Sequence, residues 1–185
     1  EKNEGIIIDT HEIDYEDSEV YDMLCQGNVL EVFQLAEQKD KTIEQQPRNF
    51  KDLVAINALI RPGVGDWTEY IARRKGKEYT IHPDREDYML ETEGIITYQE
   101  QFMLDCKTFA GWDLAFADKR VRKNKNIRED EELLHKFLTD CQARGYDANF
   151  ALNIWKEIED AVDGGYSFNK SHSVSYAVLT YVTAW

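Results

Sequence analysis

The chain has 185 residues, 42% of them hydrophobic and 12% aromatic, enough for one full core or for one domain with a smaller lobe. Its formal charge of −14 argues against a nucleic-acid surface spread over the whole protein, and no apolar stretch approaches the ~20 residues of a membrane span. The first residues show no basic region followed by an apolar one, so no signal peptide is read and an intracellular, cytoplasmic location is expected.

In chain order, Gly5-Ile6-Ile7-Ile8 predicts a short buried strand, and Asp17 with Ser18 caps a helix that ends at Gly27. Residues 29–37 fit either a strand or a turn of helix. A helix over 50–60 places Phe50, Leu53, Val54, Asn57 and Ile60 at helical spacing. Pro62-Gly63 cannot continue it, which holds Arg61 at a helix terminus. Asp66 caps the next helix, over 67–74, whose end is marked by Gly76. Residues 86–91 are expected to be helical and 94–97 to form a short extended piece. Tyr98-Gln99-Glu100-Gln101 then opens a helix carrying Phe102, Met103, Cys106 and Phe109. Amphipathic helices over 112–123, 129–144, 148–162 and 173–185 follow. The expected fold class is mainly α, with at most a small β element. Residues 1–40 read as an acidic lead-in of a strand plus a short helix, and 41–185 as the helical body.

Charge is partitioned along the chain. Between Asn3 and Gln38 there are ten acids and no lysine or arginine, so the remainder holds 26 acids against 22 cations, a balance of −4. Within it, Lys119-Arg120-Val121-Arg122-Lys123-Asn124-Lys125-Asn126-Ile127-Arg128 carries six cations and no acid. That run reads either as a solvated helix face and loop or as a phosphate-contacting surface, because Lys and Arg neutralise phosphate and Arg adds bidentate geometry. No aromatic residue interleaves it, so base stacking is not expected there.

The run from Gly165 to Ala177 is the most informative. It sets Asn169, Lys170, Ser171 and His172 immediately before the apolar positions Val174, Tyr176, Ala177 and Val178, where a helix begins. A helix start leaves backbone N–H donors unpaired and carries partial positive charge, which favours anions such as phosphate.

Other chemistries find no footing. Cys25, Cys106 and Cys141 are widely separated, and His11, His82 and His135 have no neighbours at metal-ligand spacing, so no metal is assigned to this chain. There is no Walker loop, no G-x-G-x-x-G and no G-x-S-x-G. Asp14, Glu16 and Asp17 lie in a polar stretch and read as a solvated acidic loop rather than a two-metal carboxylate pair.

Five elements in fixed order give the chain its resemblance. They are Val32-Phe33-Gln34-Leu35; Asp52 to Ile60 with Arg61-Pro62-Gly63; Glu93-Gly94-Ile95-Ile96-Thr97-Tyr98-Gln99-Glu100-Gln101; Ala110-Gly111-Trp112-Asp113-Leu114 with Ala117-Asp118 and the basic run; and Phe168-Asn169-Lys170-Ser171-His172 with Tyr176-Ala177. Together they resemble the bacterial and phage C-family replicative DNA polymerases, the alpha subunit of DNA polymerase III. The likeness covers nearly the whole chain and falls on the fingers, a helical module that closes on the incoming nucleotide.

The resemblance implies that 41–185 is a helical fingers domain, cut at its C-terminal end, and that the chain is an excised piece of a longer polypeptide. It implies no catalytic residue and no metal ligand here, since the family's magnesium-binding aspartates belong to the palm. It further implies that Arg120, Arg122, Lys123, Asn169, Lys170 and His172 bind the dNTP triphosphate, although the family's adjacent arginine pair is split here by Val121. Arg61, Tyr98, Gln99 and Tyr176 would give DNA contact or structural support. The implied partners are template–primer DNA, dNTPs, the palm and thumb of the same polymerase, and a sliding clamp through regions outside this chain. A non-catalytic helical nucleic-acid-binding or scaffold module that kept the fingers pattern stays open as the alternative.

Overall fold

The computed structural model describes residues 12–60, 67–164 and 167–185. Among them the chain forms ten α-helices joined by short 3₁₀ and π turns and no β-strand, so the fold is mainly α. The expected strand over 5–8, the Asp66 cap and the Arg61 site lie outside the described residues. The extended piece over 94–97 forms no strand. Its continuation makes one isolated parallel bridge, between Tyr98 and Phe168. The chain divides into two compact units, residues 1–57 with 174–185 and residues 58–173.

In the first unit, helix α1 (Ser18–Cys25) starts where the Asp17 carboxylate accepts from the Glu19 N–H at 2.9 Å. It buries Val20, Tyr21 and Leu24. Residues 29–37 prove to be a chain of turns rather than a strand, closed by bonds such as Val32 N to Val29 O and Leu35 N to Val32 O. Those turns bury Val29, Val32 and Leu35 at three-residue spacing. Helix α2 (Lys39–Gln45) follows. Helix α3 (Phe50–Leu59) ends one residue short of the expected 60, and Leu53, Val54, Ala55, Ile56 and Ala58 are all buried, so its apolar surface is not confined to one stripe.

The C-terminal part of helix α10 (Lys170–Ala184) belongs to this unit. Its Tyr181 hydroxyl donates to Asp14 O at 2.6 Å and accepts from Asp17 N at 3.1 Å, pinning the acidic loop. The Tyr181 ring also packs on Tyr15 and Tyr21, at 5.1 and 5.7 Å between centroids. Asn57 on α3 meets Thr180 on α10 through a buried hydrogen bond of 3.3 Å.

The second unit is built around helix α6 (Gln99–Ala110), α7 (Leu114–Ala117), α8 (Glu131–Ala143) and α9 (Ala148–Asp163). Phe102, Cys106, Phe109, Trp112, Val121, Ile127, Phe137, Cys141, Ile154 and Trp155 form one buried cluster. Helix α4 (Trp67–Arg74) and the short α5 (Glu86–Met89) precede it, with 3₁₀ turns at Pro83–Arg85 and Leu90–Thr92. The expected helix over 112–123 is thus shorter. Asp113 caps α7, and Asp118–Arg122 continue as a π-helical turn.

Candidate phosphate-binding site

The start of α6 is fixed by Gln101, which is 2% exposed. Its Oε1 accepts from Thr97 N at 2.7 Å and Tyr98 N at 2.8 Å, while its Nε2 donates to Thr92 Oγ1 and Tyr88 O at 2.7 and 2.8 Å. All four capacities of the amide are used, and Gln101 reaches back to the Tyr98 N–H as the third residue of a capping box does. Upstream, Glu93 and Gly94 both have left-handed φ angles, 53° and 74°. At Gly94 a Cβ would stand 3.0 Å from Ile81 and 3.1 Å from the Arg73 guanidinium, so the turn requires glycine.

On this platform rests the segment that begins α10. Phe168 N donates to Thr97 O and Gln99 N donates to Phe168 O, each at 2.8 Å. The helix opens at Lys170, three residues before the expected Ser173, because Asn169 serves as its cap. The Asn169 side chain accepts from His172 N at 3.0 Å and Ser171 Oγ at 2.6 Å, and its carbonyl accepts from Ser173 N.

Lys170 is held from three sides. Its Nζ donates to both oxygens of Glu91, at 2.6 and 2.8 Å, and lies 5.5 Å from the Tyr98 ring centroid. Its backbone N–H points at the Glu100 carboxylate, 3.1 and 3.2 Å from the two oxygens. The N-terminus of α10 thus does attract an anion, and in this structure the anion is Glu100. His172 is exposed, with its ring edge-on to Phe168 at 5.3 Å.

The basic run is anchored by its two apolar residues, Val121 and Ile127, which are 0% and 1% exposed in the α6–α9 core. Lys119, Arg120, Lys123, Lys125 and Arg128 are thereby left exposed and Arg122 half-buried. The π turn closes through Lys123 N to Asp118 O at 3.2 Å, a form frequent at functional sites. It brings Arg122 Nε and Lys123 Nζ onto one carboxylate, that of Asp118. Hydrogen bonds from Arg122 first, then Lys123, hold that carboxyl below its ordinary range. Arg120 lies over the Phe116 ring at 5.9 Å, and Arg128 is paired with Asp160 and Asp163 on α9.

The structure therefore gathers Asn169, Lys170 and His172 at one helix start. The contacts of Arg122, Lys123 and Arg128 run instead to Asp118 and α9. Tyr98 is buried, and Gln99 supports the Phe168 segment with its backbone and, at 3.5 Å, its side chain to Ser167 O. Tyr176 falls in the other compact unit, its ring 5.4 Å from Phe33. Glu91, Glu100 and Asp118 went unread in the sequence as partners of these cations. Glu100 sits in the first turn of α6, where an acid suits the helix dipole, and Glu91 lies 79 residues from Lys170. Among the described residues no group of three His, Cys, Asp or Glu side chains could hold a metal ion, and no helix is long and apolar enough to cross a membrane.

The model of the bacterial DNA polymerase III alpha subunit finger domain matches residues 1–145. The chain belongs to that family. It is 34% identical over 193 aligned positions to DNA polymerase III subunit alpha of Staphylococcus epidermidis RP62A, covering 100% of this chain and 18% of that protein. With the Mycobacterium leprae subunit the identity is 33%, over 99% of this chain and 16% of that protein. With the Staphylococcus aureus Mu50 subunit it is 32%, over 100% and 18%. The finger-domain chain thus spans less than a fifth of the polymerase subunits it matches.

Proposed function

We propose that this chain is the fingers part of a DNA-directed DNA polymerase, contributing to template-directed nucleotidyl transfer by binding the triphosphate of the incoming dNTP next to template–primer DNA. The observation that carries the reading is the Asn169, Lys170, His172 cluster. It is a cation, an imidazole and a capped helix start tied by backbone hydrogen bonds to the first turn of α6, in a chain whose full length aligns with polymerase alpha subunits.

In nucleotidyl transfer negative charge develops on the leaving pyrophosphate, and cations that meet it in the closed state stabilise the transition state more than the ground state. Lys170 and His172 supply such donors from α10, and Arg120, Arg122 and Lys123 supply them from the π turn. We assign both groups to one triphosphate. Arg61 serves phosphate contact or bracing, and Tyr98, Gln99 and Tyr176 act as supports. Residues 1–40 form the acidic lead-in and 41–185 the fingers. Magnesium is assigned to the palm, outside this chain, so the chain by itself is expected to be inactive. The palm, the thumb, DNA, dNTPs and, through other regions, a sliding clamp are the proposed partners, in the cytoplasm.

The test is steady-state primer extension by the full-length polymerase carrying this segment. Lys170→Ala is expected to raise the dNTP KM about tenfold or more, the order of one lost charge-assisted contact. An unchanged KM and kcat would refute the assignment.

A further inference from the structure

The candidate phosphate-binding groups already carry anions. The Lys170 ammonium gives two of its three N–H donors to Glu91, and the Lys170 backbone N–H faces Glu100. Arg122 and Lys123 converge on Asp118. Three carboxylates, from the 3₁₀ turn Leu90–Thr92, the first turn of α6 and the π turn, therefore already engage the donors that the function proposed above gives to phosphate. The same arrangement arises independently at both groups.

A purely positioning role explains this poorly. The Lys170 ammonium is already set over the Tyr98 ring, and a carboxylate fully engaged on a cation repels an approaching phosphate as strongly as the cation attracts it. Yet the pairs are only half-buried. Lys170 and Glu91 side chains are 39% and 20% exposed, and Arg122 and Asp118 are 31% and 32% exposed. Pairs of this kind are weak enough to open when a stronger anion competes.

Resting on the function proposed above, we infer that Glu91 and Asp118 are place-holding carboxylates, specificity-determining residues that occupy the phosphate-binding cations until a triphosphate displaces them. Glu100 holds the α10 N-terminus in the same way. A ligand must supply several phosphate oxygens at once to replace carboxylates at both groups, so the device favours a triphosphate over an anion with a single phosphate. It raises the nucleotide KM while rejecting weaker anions such as inorganic phosphate.

The experiment uses the full-length polymerase with Glu91→Gln, Asp118→Asn and the double variant, measuring the dNTP KM in primer extension and inhibition by inorganic phosphate. The amides keep shape and remove charge. Each single variant is expected to lower the dNTP KM about three- to tenfold and to strengthen inhibition by phosphate by a similar factor. An equal or higher KM in both single variants overturns the inference and makes the carboxylates positioning groups. Asp118 lies on a surface turn, so Asp118→Asn decides the matter should Glu91→Gln not fold. Lys170→Ala, run alongside, separates the two levels. If it raises KM while the amide variants do not lower it, only the place-holding inference falls. If it leaves KM unchanged, the site assignment falls and the inference with it.

Discussion

Arg85 and Asp105 meet side by side inside the helical unit, Nε to Oδ1 and the terminal nitrogen to Oδ2, both at 2.9 Å. Asp105 is fully buried and Arg85 is 6% exposed. Tyr88 adds a hydroxyl to Oδ1 at 2.8 Å, and Glu157 on α9 pairs with the same terminal nitrogen of Arg85 that meets Oδ2, also at 2.8 Å. The pair thus ties the 3₁₀ turn before α5 to both α6 and α9. Burial pushes the Asp105 carboxyl up to about 6, and the Arg85 charge restrains that rise.

Replacing Arg85 by Met is expected to lower stability by about 3–5 kcal/mol at neutral pH, since it leaves a buried carboxylate without its cation. The loss should grow with pH. Without Arg85 the folded value of Asp105 climbs further above the unfolded one, so the variant keeps its stability where the acid is protonated and loses it as pH rises through the raised value. Urea melts of wild type and variant at pH 5 and pH 8 check this. A gap that narrows toward pH 8 would contradict it.

Gln101→Ala orphans the buried N–H groups of Thr97 and Tyr98. Each such group costs about 1–3 kcal/mol, so at least about 2 kcal/mol should be lost. Hydrogen exchange should accelerate first at Tyr98 N and at Phe168 N, which bonds Thr97 O, because the bridge under the α10 start depends on this amide.

Arg120→Ala and Arg122→Ala in the full-length polymerase should raise the dNTP KM with little change in melting temperature. Half-exposed ion pairs of this type contribute little to stability. A collapsed melting temperature with an unchanged KM would make these arginines structural.

Asp118 offers a direct electrostatic readout. Its carboxyl is held low by Arg122 before Lys123, so Arg122→Ala should move its titration up toward the ordinary carboxylate range, followed by carbon-13 NMR of the side chain. For a depressed acid the associated stabilisation is present above the unfolded value and fades as pH falls through the folded one. An unmoved titration would mean that Lys123 alone suffices.

Elements with strong local chemistry were legible from the chain. Asp17 announces α1, and Gly76, with φ of 101°, follows α4. What escaped has a physical reason in each case. Helix α2 holds a single aliphatic side chain, Ile43, and buries Thr42 and Gln45, so no apolar period marks it. The apolar period of α10 begins at Val174 and points to a late start, whereas the Asn169 cap sets the start at Lys170. The π turn is invisible to a 3.6-residue period. At the candidate site the cations were legible, but Glu91 and Glu100, the carboxylates on Lys170, lie 79 and 70 residues from it in sequence and meet it only in the fold, whereas Asp118 stands four residues from the Arg122 it holds.

The π turn at Asp118–Arg122 makes the length of this segment a determinant of where its charges point. A π turn accommodates one residue more than an α turn over the same rise. Wound as ordinary helix with the same number of residues, the segment would carry everything downstream round by about 100°, one residue's share of a 3.6-residue turn, and the π turn absorbs that residue instead. Val121 and Ile127 could then no longer both reach the core while Lys123 and Arg128 keep their present directions. The segment should accordingly tolerate exchange of one cation for another far better than insertion of a further residue between Asp113 and Ile127.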